Sequence, residues 1–174
     1  EMDLLLELMD RKQPSVIINF AAQGEGAVSW KNSWRFFETN SVALSKLCEE
    51  LMKRDWMEKF IQVGTSEMYG SVETPSKETD PILPSSPYAA SKVAFDMYLM
   101  SINKYLNFPM NIVRPCNAYC PGQLLHRVIP KTILSAKMGR KLPLQGGGKA
   151  EKSYIHARDL SKSIMSIINK DIIG

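Results

Sequence analysis

The chain has 174 residues, of which 44% are hydrophobic and 23% charged, and its formal net charge is +4. These values are ordinary for a globular domain with its own core, and the scattered basic residues do not form the stripe that a nucleic-acid partner requires. No apolar run approaches the roughly 20 residues that span a bilayer, and no signal-peptide pattern is present, so we expect a cytoplasmic protein without nucleic-acid or membrane partners.

The first predicted elements alternate helices with short apolar strands. Residues 2–12 predict a helix with Leu5, Leu8 and Met9 on one face. Residues 15–22 form a continuous apolar run, which predicts a strand buried on both faces, as in a parallel sheet. The next predicted elements are a loop or turn of helix over residues 24–34, a helix over residues 35–54 and a second buried strand over residues 59–64.

The second half of the chain continues this alternation. Its longest predicted helix covers residues 88–106, with five apolar side chains facing inward: Val93, Phe95, Met97, Leu99 and Met100. The other predicted elements are a loop over 71–86, a strand over 110–115, a loop over 116–122, helices over 128–138 and about 159–169, extended pieces at 142–144 and 153–156, and a turn at 146–148. This order of strands and helices predicts an α/β fold with a parallel sheet.

Polar side chains follow the predicted strands where the strands end. The segment Thr65-Ser66-Glu67 follows the second strand, and Gln23 and Asn117 come shortly after the first and the third. In open parallel sheets, ligands bind beyond the carboxyl ends of the strands. We therefore expect the chemistry of this chain at one edge of the sheet.

Tyr88 and Lys92 form the pair with the strongest chemical signal. They lie four residues apart, and with Pro87 opening a helix they share one helix face. A phenol beside a fixed ammonium loses its proton more easily than a free phenol, because the positive charge favours the phenolate. The pair therefore predicts a general base for an alcohol substrate.

The three cysteines, Cys48, Cys116 and Cys120, indicate neither a disulfide framework nor a metal site. Neither His126 nor His156 stands at a metal-site spacing from them. We expect three reduced thiols in a reducing compartment, and no bound metal.

Several motifs in a fixed order carry a resemblance to a known family. They are Phe20-Ala21-Ala22, Asn40, Thr65-Ser66-Glu67-x-Tyr69-Gly70, the YxxxK segment Tyr88–Lys92 preceded by Ser86-Pro87, Arg114-Pro115-x-Asn117-x-Tyr119-x-Pro121-Gly122, and Tyr154-Ile155-His156-x-x-Asp159. With them the chain resembles the extended short-chain dehydrogenase/reductase family, the NAD-dependent epimerases and dehydratases, over nearly its whole length. Within that family it looks most like the nucleotide-sugar 4,6-dehydratases of the GDP-mannose or dTDP-glucose type.

The resemblance implies a Rossmann-like, doubly wound parallel sheet that lacks its first strands, with part of a small substrate domain. Residues 1–122 correspond to a partial NAD(P)-binding Rossmann domain with the catalytic residues. Residues 123–174 correspond to a partial substrate-binding region, of which residues 153–174 return to the Rossmann domain. The family's GxxGxxG turn, which cradles the cofactor pyrophosphate, has no match here, so we expect the chain as given to bind NAD(P) poorly.

The resemblance also implies a catalytic role for each of five residues. Tyr88 would take the proton of the sugar 4-hydroxyl while hydride passes from C4 to a bound nicotinamide. Lys92 would assist Tyr88 and hold the cofactor ribose, and Thr65 would hydrogen-bond the 4-oxygen. Glu67, assisted by Ser66, would remove the C5 proton so that water leaves from C6.

Binding residues and partners follow from the same resemblance. The expected cofactor-binding residues are Phe20, Ala21, Ala22, Gln23, Asn40, Tyr88, Lys92, Pro115 and Cys116. The expected substrate-binding residues are Glu67, Asn117, Arg127, Val128, Pro143 and Lys152. Lys152 stands where the family usually has arginine, so it keeps the charge but not the bidentate fork. The expected partners are a nucleotide-diphosphate sugar and a second copy of the chain in a homodimer.

The sequence leaves the subgroup and the coenzyme open. Glu67 favours a dehydratase over a 4-epimerase, but UDP-glucuronate decarboxylases also carry a Thr-Ser-Glu triplet. A 4-epimerase or a UDP-glucuronate decarboxylase is therefore the alternative enzyme, and an inactive truncated fragment without cofactor binding is the alternative of another class. The cofactor is NAD or NADP, since no residue of the chain matches the one that reads the ribose 2′ position.

Overall fold

The computed structural model describes residues 2–149, 151–170 and 172–174. The chain divides into two compact units. The first is formed by Glu1–Arg114 together with Ser166–Gly174, and the second by Pro115–Met165. The predicted domain boundary between residues 122 and 123 stays a prediction.

A three-stranded parallel sheet forms the centre of the first unit. Its strands are β1 (Val16–Asn19), β2 (Lys59–Val63) and β3 (Met110–Val113), in the spatial order β1-β2-β3. Four of the five residues of the middle strand, β2, are buried, as expected for a strand covered on both faces. The predicted α/β class with a parallel sheet is therefore confirmed.

Helices connect and cover these strands. In chain order they are α1 (Met2–Lys12), α2 (Gly26–Ser29), α3 (Ser33–Phe37), a π-helical turn (Glu38–Val42), α4 (Ala43–Leu51), a 3₁₀ turn (Ser66–Tyr69) and α5 (Pro87–Leu106). The predicted helix over residues 35–54 is therefore three consecutive helical pieces, and the predicted loop over residues 24–34 contains α2.

The core of the first unit lies between β2, α4 and α5. Phe60 of β2 is fully buried, and its ring lies edge-on to Phe95 of α5 at 6.5 Å between centroids. Phe108, just after α5, packs against the same Phe60 ring at 5.8 Å. Leu51 and Leu99 complete this cluster from α4 and α5, both fully buried.

Two predicted helix faces are rotated from their observed positions. In α1, Leu5 and Leu8 are exposed, and the core instead contacts Met2, Leu6 and Met9. In α5, Phe95 and Leu99 are buried as predicted, but Met97 and Met100 are exposed. The inward face of α5 carries the polar residues Ser91, Lys92 and Asp96 in addition to apolar ones. The prediction placed only apolar residues on that face, so it included Met97 and Met100 wrongly.

The second unit contains a two-stranded parallel sheet. Its strands β4 (Asn117–Tyr119) and β5 (Tyr154–His156) pair in the register Asn117↔Tyr154. The predicted loop over residues 116–122 was therefore wrong for Asn117–Tyr119. The remaining elements are α6 (Val128–Lys137), a 3₁₀ turn (Gln145–Gly148) and α7 (Ala157–Ile168), which extends from this unit into the first.

Among the described residues, no helix combines the length and the apolar character that crossing a membrane requires.

Candidate active site

Glu67 lies in the short 3₁₀ turn that follows β2. Thr65 caps this turn, because its Oγ1 accepts a hydrogen bond from the backbone N–H of Glu67 at 3.2 Å. The side chain of Thr65 is buried, whereas Ser66 and Glu67 are half-buried. The Thr-Ser-Glu triplet is thus a local capping arrangement that fixes the Glu67 backbone at the carboxyl end of β2.

Tyr88 lies in the first turn of α5. Ser86 caps this helix by accepting a hydrogen bond from the backbone N–H of Ala89 at 3.1 Å, and Pro87 occupies its first position. This combination of a serine cap and a following proline is a strong helix start. The Tyr88 ring lies edge-on to Phe36 of α3, with 6.4 Å between centroids.

Lys92 lies one turn further along α5, with only 2% of its surface exposed. Its Nζ donates a hydrogen bond to the backbone oxygen of Val63, the last residue of β2, at 2.7 Å. Burial lowers the pKa of Lys92, and the nearby negative charge of Asp96 opposes this change. The helix face that Tyr88 and Lys92 were predicted to share therefore extends from the first turn of α5 to the carboxyl end of β2.

Gly26, the first residue of α2, brings Glu67 and the start of α5 together. A β-carbon built on Gly26 would lie 3.3 Å from the Ser86 Oγ and 3.6 Å from the Glu67 Oε2. The carboxylate of Glu67 and the cap of the helix that carries Tyr88 thus converge on one backbone position. Predicted catalytic residues that are about twenty positions apart in sequence share this edge of the sheet.

Asn40 lies in the π-helical turn and is fully buried. Its Oδ1 accepts a hydrogen bond from the backbone N–H of Gln23 at 2.7 Å, and its Nδ2 donates to the Gln23 carbonyl oxygen at 3.0 Å. The same Nδ2 donates to Ser91 Oγ at 3.0 Å, and that hydroxyl donates to the Tyr88 carbonyl oxygen at 2.7 Å. Asn40 therefore holds the Gln23 backbone, and its predicted contact with the cofactor stays a prediction.

Asn19 and Gln62 form a second polar network below the site. These residues are opposite each other in β1 and β2, and Asn19 Nδ2 donates to Gln62 Oε1 at 2.7 Å. Asn19 Oδ1 accepts from the backbone N–H of Ala21 at 3.1 Å. Gln62 Nε2 donates to the Val63 oxygen at 3.3 Å, the same oxygen that Lys92 contacts.

The sequence interpretation missed the roles of Asn19, Gln62, Ser86 and Ser91. A signal for the first two was present, since each interrupts an otherwise apolar strand near its carboxyl end. Buried polar side chains are normally hydrogen-bonded, so a single amide in such a run indicates a partner on the neighbouring strand.

The segment after β1 is an exposed strip of backbone, and its predicted contact with the cofactor stays a prediction. Phe20, Ala21 and Ala22 are exposed, and the Ala21 backbone is held from below by Asn19. The side chains of Ala21 and Ala22 are small, so they cover little of this exposed stretch of backbone. Gln23 continues the same strip with its backbone held by Asn40.

The predicted nucleotide-contacting residues belong to the second unit. Pro115 and Cys116 are half-buried there. Exposed side chains are found at the five other positions: Asn117 in β4, Arg127 and Val128 at the start of α6, Pro143, and Lys152 before β5. Their predicted contacts with a ligand stay predictions. Among the described residues, no cluster of three or more His, Cys, Asp or Glu side chains could hold a metal ion.

Comparison with known protein families identifies the family to which this chain belongs. The sequence matches the NAD dependent epimerase/dehydratase family over residues 1–172. The chain belongs to this family. The resemblance drawn from the sequence motifs is confirmed, and the family's NAD dependence agrees with the predicted cofactor class.

Relatives in the epimerase/dehydratase family include sugar dehydratases. The trifunctional UDP-glucose 4,6-dehydratase/UDP-4-keto-6-deoxy-D-glucose 3,5-epimerase/UDP-4-keto-L-rhamnose-reductase of Arabidopsis thaliana is 31% identical over 176 residues, which are 99% of this chain and 26% of the relative. A dTDP-glucose 4,6-dehydratase of Xanthomonas campestris is 30% identical over 183 residues, covering 98% of this chain and 52% of the relative.

A solved structure from the same family matches the fold of the whole chain. The dTDP-glucose 4,6-dehydratase DesIV of Streptomyces venezuelae, crystallised with NAD, has a TM-score of 0.90 at 28% identity. The match covers 100% of this chain and 53% of that one. The Rossmann-like character of the sheet is thereby confirmed, and this chain spans about half the length of the enzyme.

Proposed function

We propose that the protein carrying this chain is a nucleotide-sugar 4,6-dehydratase, which converts an NDP-hexose to an NDP-4-keto-6-deoxyhexose. The convergence of Glu67 and the start of α5 on Gly26 carries the proposal. Oxidation of an alcohol needs one base, whereas loss of water from the neighbouring carbons needs a second one. Glu67 supplies a carboxylate in addition to the phenol of Tyr88.

The chemistry follows from the roles of the side chains. When bound, the nicotinamide would supply the acceptor for the hydride of C4 and the source of the hydride added at C6. Tyr88 takes the proton of the 4-hydroxyl, and the ketone formed at C4 makes the C5 proton acidic. Glu67 removes this proton, and the C6 hydroxyl leaves as water with a proton from Glu67 or Ser66. A proton from solvent, delivered by Glu67, then adds to C5, and Tyr88 releases its proton to solvent.

Thr65 and Lys92 act beside these bases. The Thr65 oxygen accepts the Glu67 N–H, so its own hydroxyl proton can be donated to the sugar 4-oxygen. The Lys92 ammonium, fixed on the Val63 oxygen, supplies positive charge on the helix face of Tyr88. That charge favours the phenolate form of a neighbouring tyrosine.

In this proposal, different parts of the chain bind the cofactor and the nucleotide diphosphate of the substrate. Residues 1–122 contribute the cofactor strip and the catalytic side chains, and residues 123–174 contribute the contacts to the nucleotide diphosphate. The cofactor is NAD or NADP. The exposed basic side chains Arg127 and Lys152 support the second assignment, because a diphosphate requires positive partners.

We also propose that the protein acts in the cytoplasm as a homodimer, with no membrane partner. Exposed apolar side chains on α5 support the dimer, because Met97 and Met100, which are about one helical turn apart, are 38% and 45% exposed. Apolar side chains on one long helix are suited to packing against a second copy. Sedimentation at several protein concentrations measures this directly.

Substitution of Glu67 by Gln tests the proposed function. The substitution keeps the size of the side chain and one acceptor oxygen, and it removes the base. In the whole protein that carries this sequence, we expect formation of the 4-keto-6-deoxy product to fall by about 100-fold or more, while oxidation at C4 stays detectable as reduced nicotinamide. Titration with NAD⁺ and NADP⁺ beforehand establishes which coenzyme to supply.

Glu73→Gln is the matched control, since Glu73 is an exposed carboxylate in the following loop. The assay uses dTDP-glucose, UDP-glucose and GDP-mannose in D₂O, with deuterium at C5 of the product read by NMR. Simple inversion at C4 would favour the 4-epimerase alternative, and release of CO₂ from UDP-glucuronate would favour the decarboxylase. Unchanged turnover of the Glu67→Gln variant would refute the role of Glu67.

A further inference from the structure

Asp96 is a buried carboxylate that the proposed reaction does not use. It lies on α5 one turn after Lys92 and has 1% of its surface exposed. Charged side chains are almost never buried to this extent unless they are paired with an opposite charge or hydrogen-bonded. The surroundings of Asp96 show what it contacts.

The carboxylate of Asp96 lies over the carboxyl end of β2. A β-carbon built on Gly64 would stand 2.9 Å from Asp96 Oδ2, closer than real β-carbons approach other atoms. The neighbouring residue Val63 provides the oxygen that binds Lys92 Nζ. Lys92 and Asp96 therefore contact consecutive residues of the same strand end, and glycine at position 64 leaves the space for the carboxylate.

Asp96 is held by charge more than by hydrogen bonds. Its Oδ2 lies 3.9 Å from the Nε of Arg114, beyond hydrogen-bond distance. Within the described part of the chain, neither Asp96 Oδ1 nor Arg114 Nε has a hydrogen-bond partner. Arg114 is instead fixed by its Nη1, which donates to the Tyr69 hydroxyl at 3.1 Å.

We propose that Asp96 is a positioning residue for Lys92: its carboxylate over Gly64 is the counter-charge that keeps the Lys92 ammonium at the end of β2, beside the helix turn of Tyr88. This inference rests on the proposed role of Lys92 in catalysis. Asp96 contacts neither substrate nor cofactor in this proposal. It acts through Lys92 alone.

The balance of charges around the pair supports this role. Two cations, Lys92 and Arg114, and one carboxylate, Asp96, are packed between α5 and the ends of β2 and β3, and Tyr69 faces Arg114 from the 3₁₀ turn. Burial raises the pKa of Asp96 to about 6, and the two cations oppose the rise. Burial lowers the pKa of Lys92, and the charge of Asp96 opposes the fall. Removal of Asp96 would leave the desolvation of Lys92 uncompensated.

The titration of Lys92 itself tests the proposal without any need for enzyme activity. The chain is labelled with ¹³C at the lysine ε-carbons, and the Lys92 signal is assigned by its loss in a Lys92→Arg variant. In Asp96→Asn we expect the Lys92 midpoint to fall by about one pH unit or more, since an opposite charge nearby accounts for shifts of this size.

A second variant keeps the test decisive where Asp96→Asn does not fold. Gly64→Ala retains every charge but forces the Asp96 carboxylate away from the strand end, so the Lys92 midpoint should also fall. Asp10→Asn is the matched control, because Asp10 is an exposed carboxylate paired with Arg54, and it should leave the Lys92 midpoint unchanged.

The outcomes separate this proposal from the dehydratase activity. A Lys92 midpoint that is unchanged in both Asp96→Asn and Gly64→Ala overturns the role of Asp96, whatever the stability of the variants. An equal fall in the Asp10→Asn control also overturns it. A shifted midpoint in a protein that shows no dehydration supports the positioning role while refuting the proposed function.

Discussion

Lys92 and Asp96 place opposite charges at the end of β2, where little solvent reaches them. The cost of removing two such charges from water largely cancels their mutual attraction, so buried pairs contribute little net stability. The fold retains the pair together with Gly64, whose missing side chain accommodates the carboxylate. The proposed role of the Lys92 ammonium therefore accounts for this pair better than a gain in stability does.

The raised pKa of Asp96 predicts how stability depends on pH. The pKa is about 6 in the folded chain against a reference of 3.8, so between these values the folded chain holds a proton that the unfolded chain has lost. The Asp96 contribution therefore weakens the fold as pH rises from about 4 to about 6. Asp96→Asn should remove about 1 to 3 kcal/mol of this pH dependence.

Urea denaturation at several pH values between 4 and 7 measures this difference. Asp10→Asn provides the contrast, because hydrogen bonding to Arg54 lowers the pKa of Asp10. The Asp10 contribution to stability is therefore lost as pH falls, whereas the Asp96 contribution is lost as pH rises. The control should therefore keep the slope that Asp96 produces. Identical slopes in the wild-type chain and in Asp96→Asn would contradict the assignment.

At the scale of elements, the regular parts of the fold could be predicted from local signals. The apolar runs at β1 and β2 and the Ser86-Pro87 start of α5 are encoded within a few neighbouring residues. The π-helical turn could not be predicted in this way, because Asn40 and Ser41 in it bond to Ser91, which is about fifty residues later. Periodicity alone does not reveal such a partner.

The inner face of α1 illustrates a second limit. Leu5, Leu8 and Met9 have helical spacing, but Met2, Leu6 and Met9 have it too, and the core contacts the second set. Both stripes are apolar, so the choice depends on what packs against the helix. For the candidate site, the motif order located Glu67, Tyr88 and Lys92, whereas the supporting amides Asn19 and Gln62 depend on the register of two strands.

The cap of α5 gives a prediction at this scale. Ser86→Ala removes the oxygen that accepts the Ala89 N–H, so the first turn, which carries Tyr88, should loosen. We expect a loss of about 1 kcal/mol in the free energy of unfolding, together with a decrease in the proposed dehydratase activity of the whole protein. Ser85→Ala is the matched control, since Ser85 is exposed and should change neither. Equal effects of the two substitutions on stability and activity would show that the cap is unimportant.

On the scale of the whole molecule, residues from distant parts of the sequence complete the first unit. Ser166–Gly174 belongs to the same compact unit as the first 114 residues. The backbone N–H of Gly174 donates to the Met110 oxygen at 2.8 Å, and Asn111 Nδ2 donates to the Gly174 oxygen at 3.3 Å. This final segment is therefore attached to β3, as expected for an α/β sheet that is assembled from non-local pairings.

Lys59 provides the second attachment of this segment. It is buried at the start of β2, and its Nζ donates to the backbone oxygens of Ile167 at 3.0 Å and Lys170 at 2.5 Å. Ile167 lies in the last turn of α7 and Lys170 follows the helix, and the carbonyl end of a helix favours a cation. One ammonium thus joins the central strand to a helix end more than a hundred residues away in sequence.

Lys59→Met should therefore loosen the end of the chain before the rest of the sheet. The substitution keeps most of the apolar length of the side chain but leaves two carbonyl oxygens without their charged donor, which costs about 1.5 to 3 kcal/mol. Hydrogen exchange should accelerate in residues 166–174 more than in β2 or α5. Lys162→Met, which alters an exposed lysine on α7, should leave the exchange unchanged. Uniform acceleration across the first unit would instead indicate that Lys59 supports the whole sheet, because local opening and global unfolding differ in the amides that they expose.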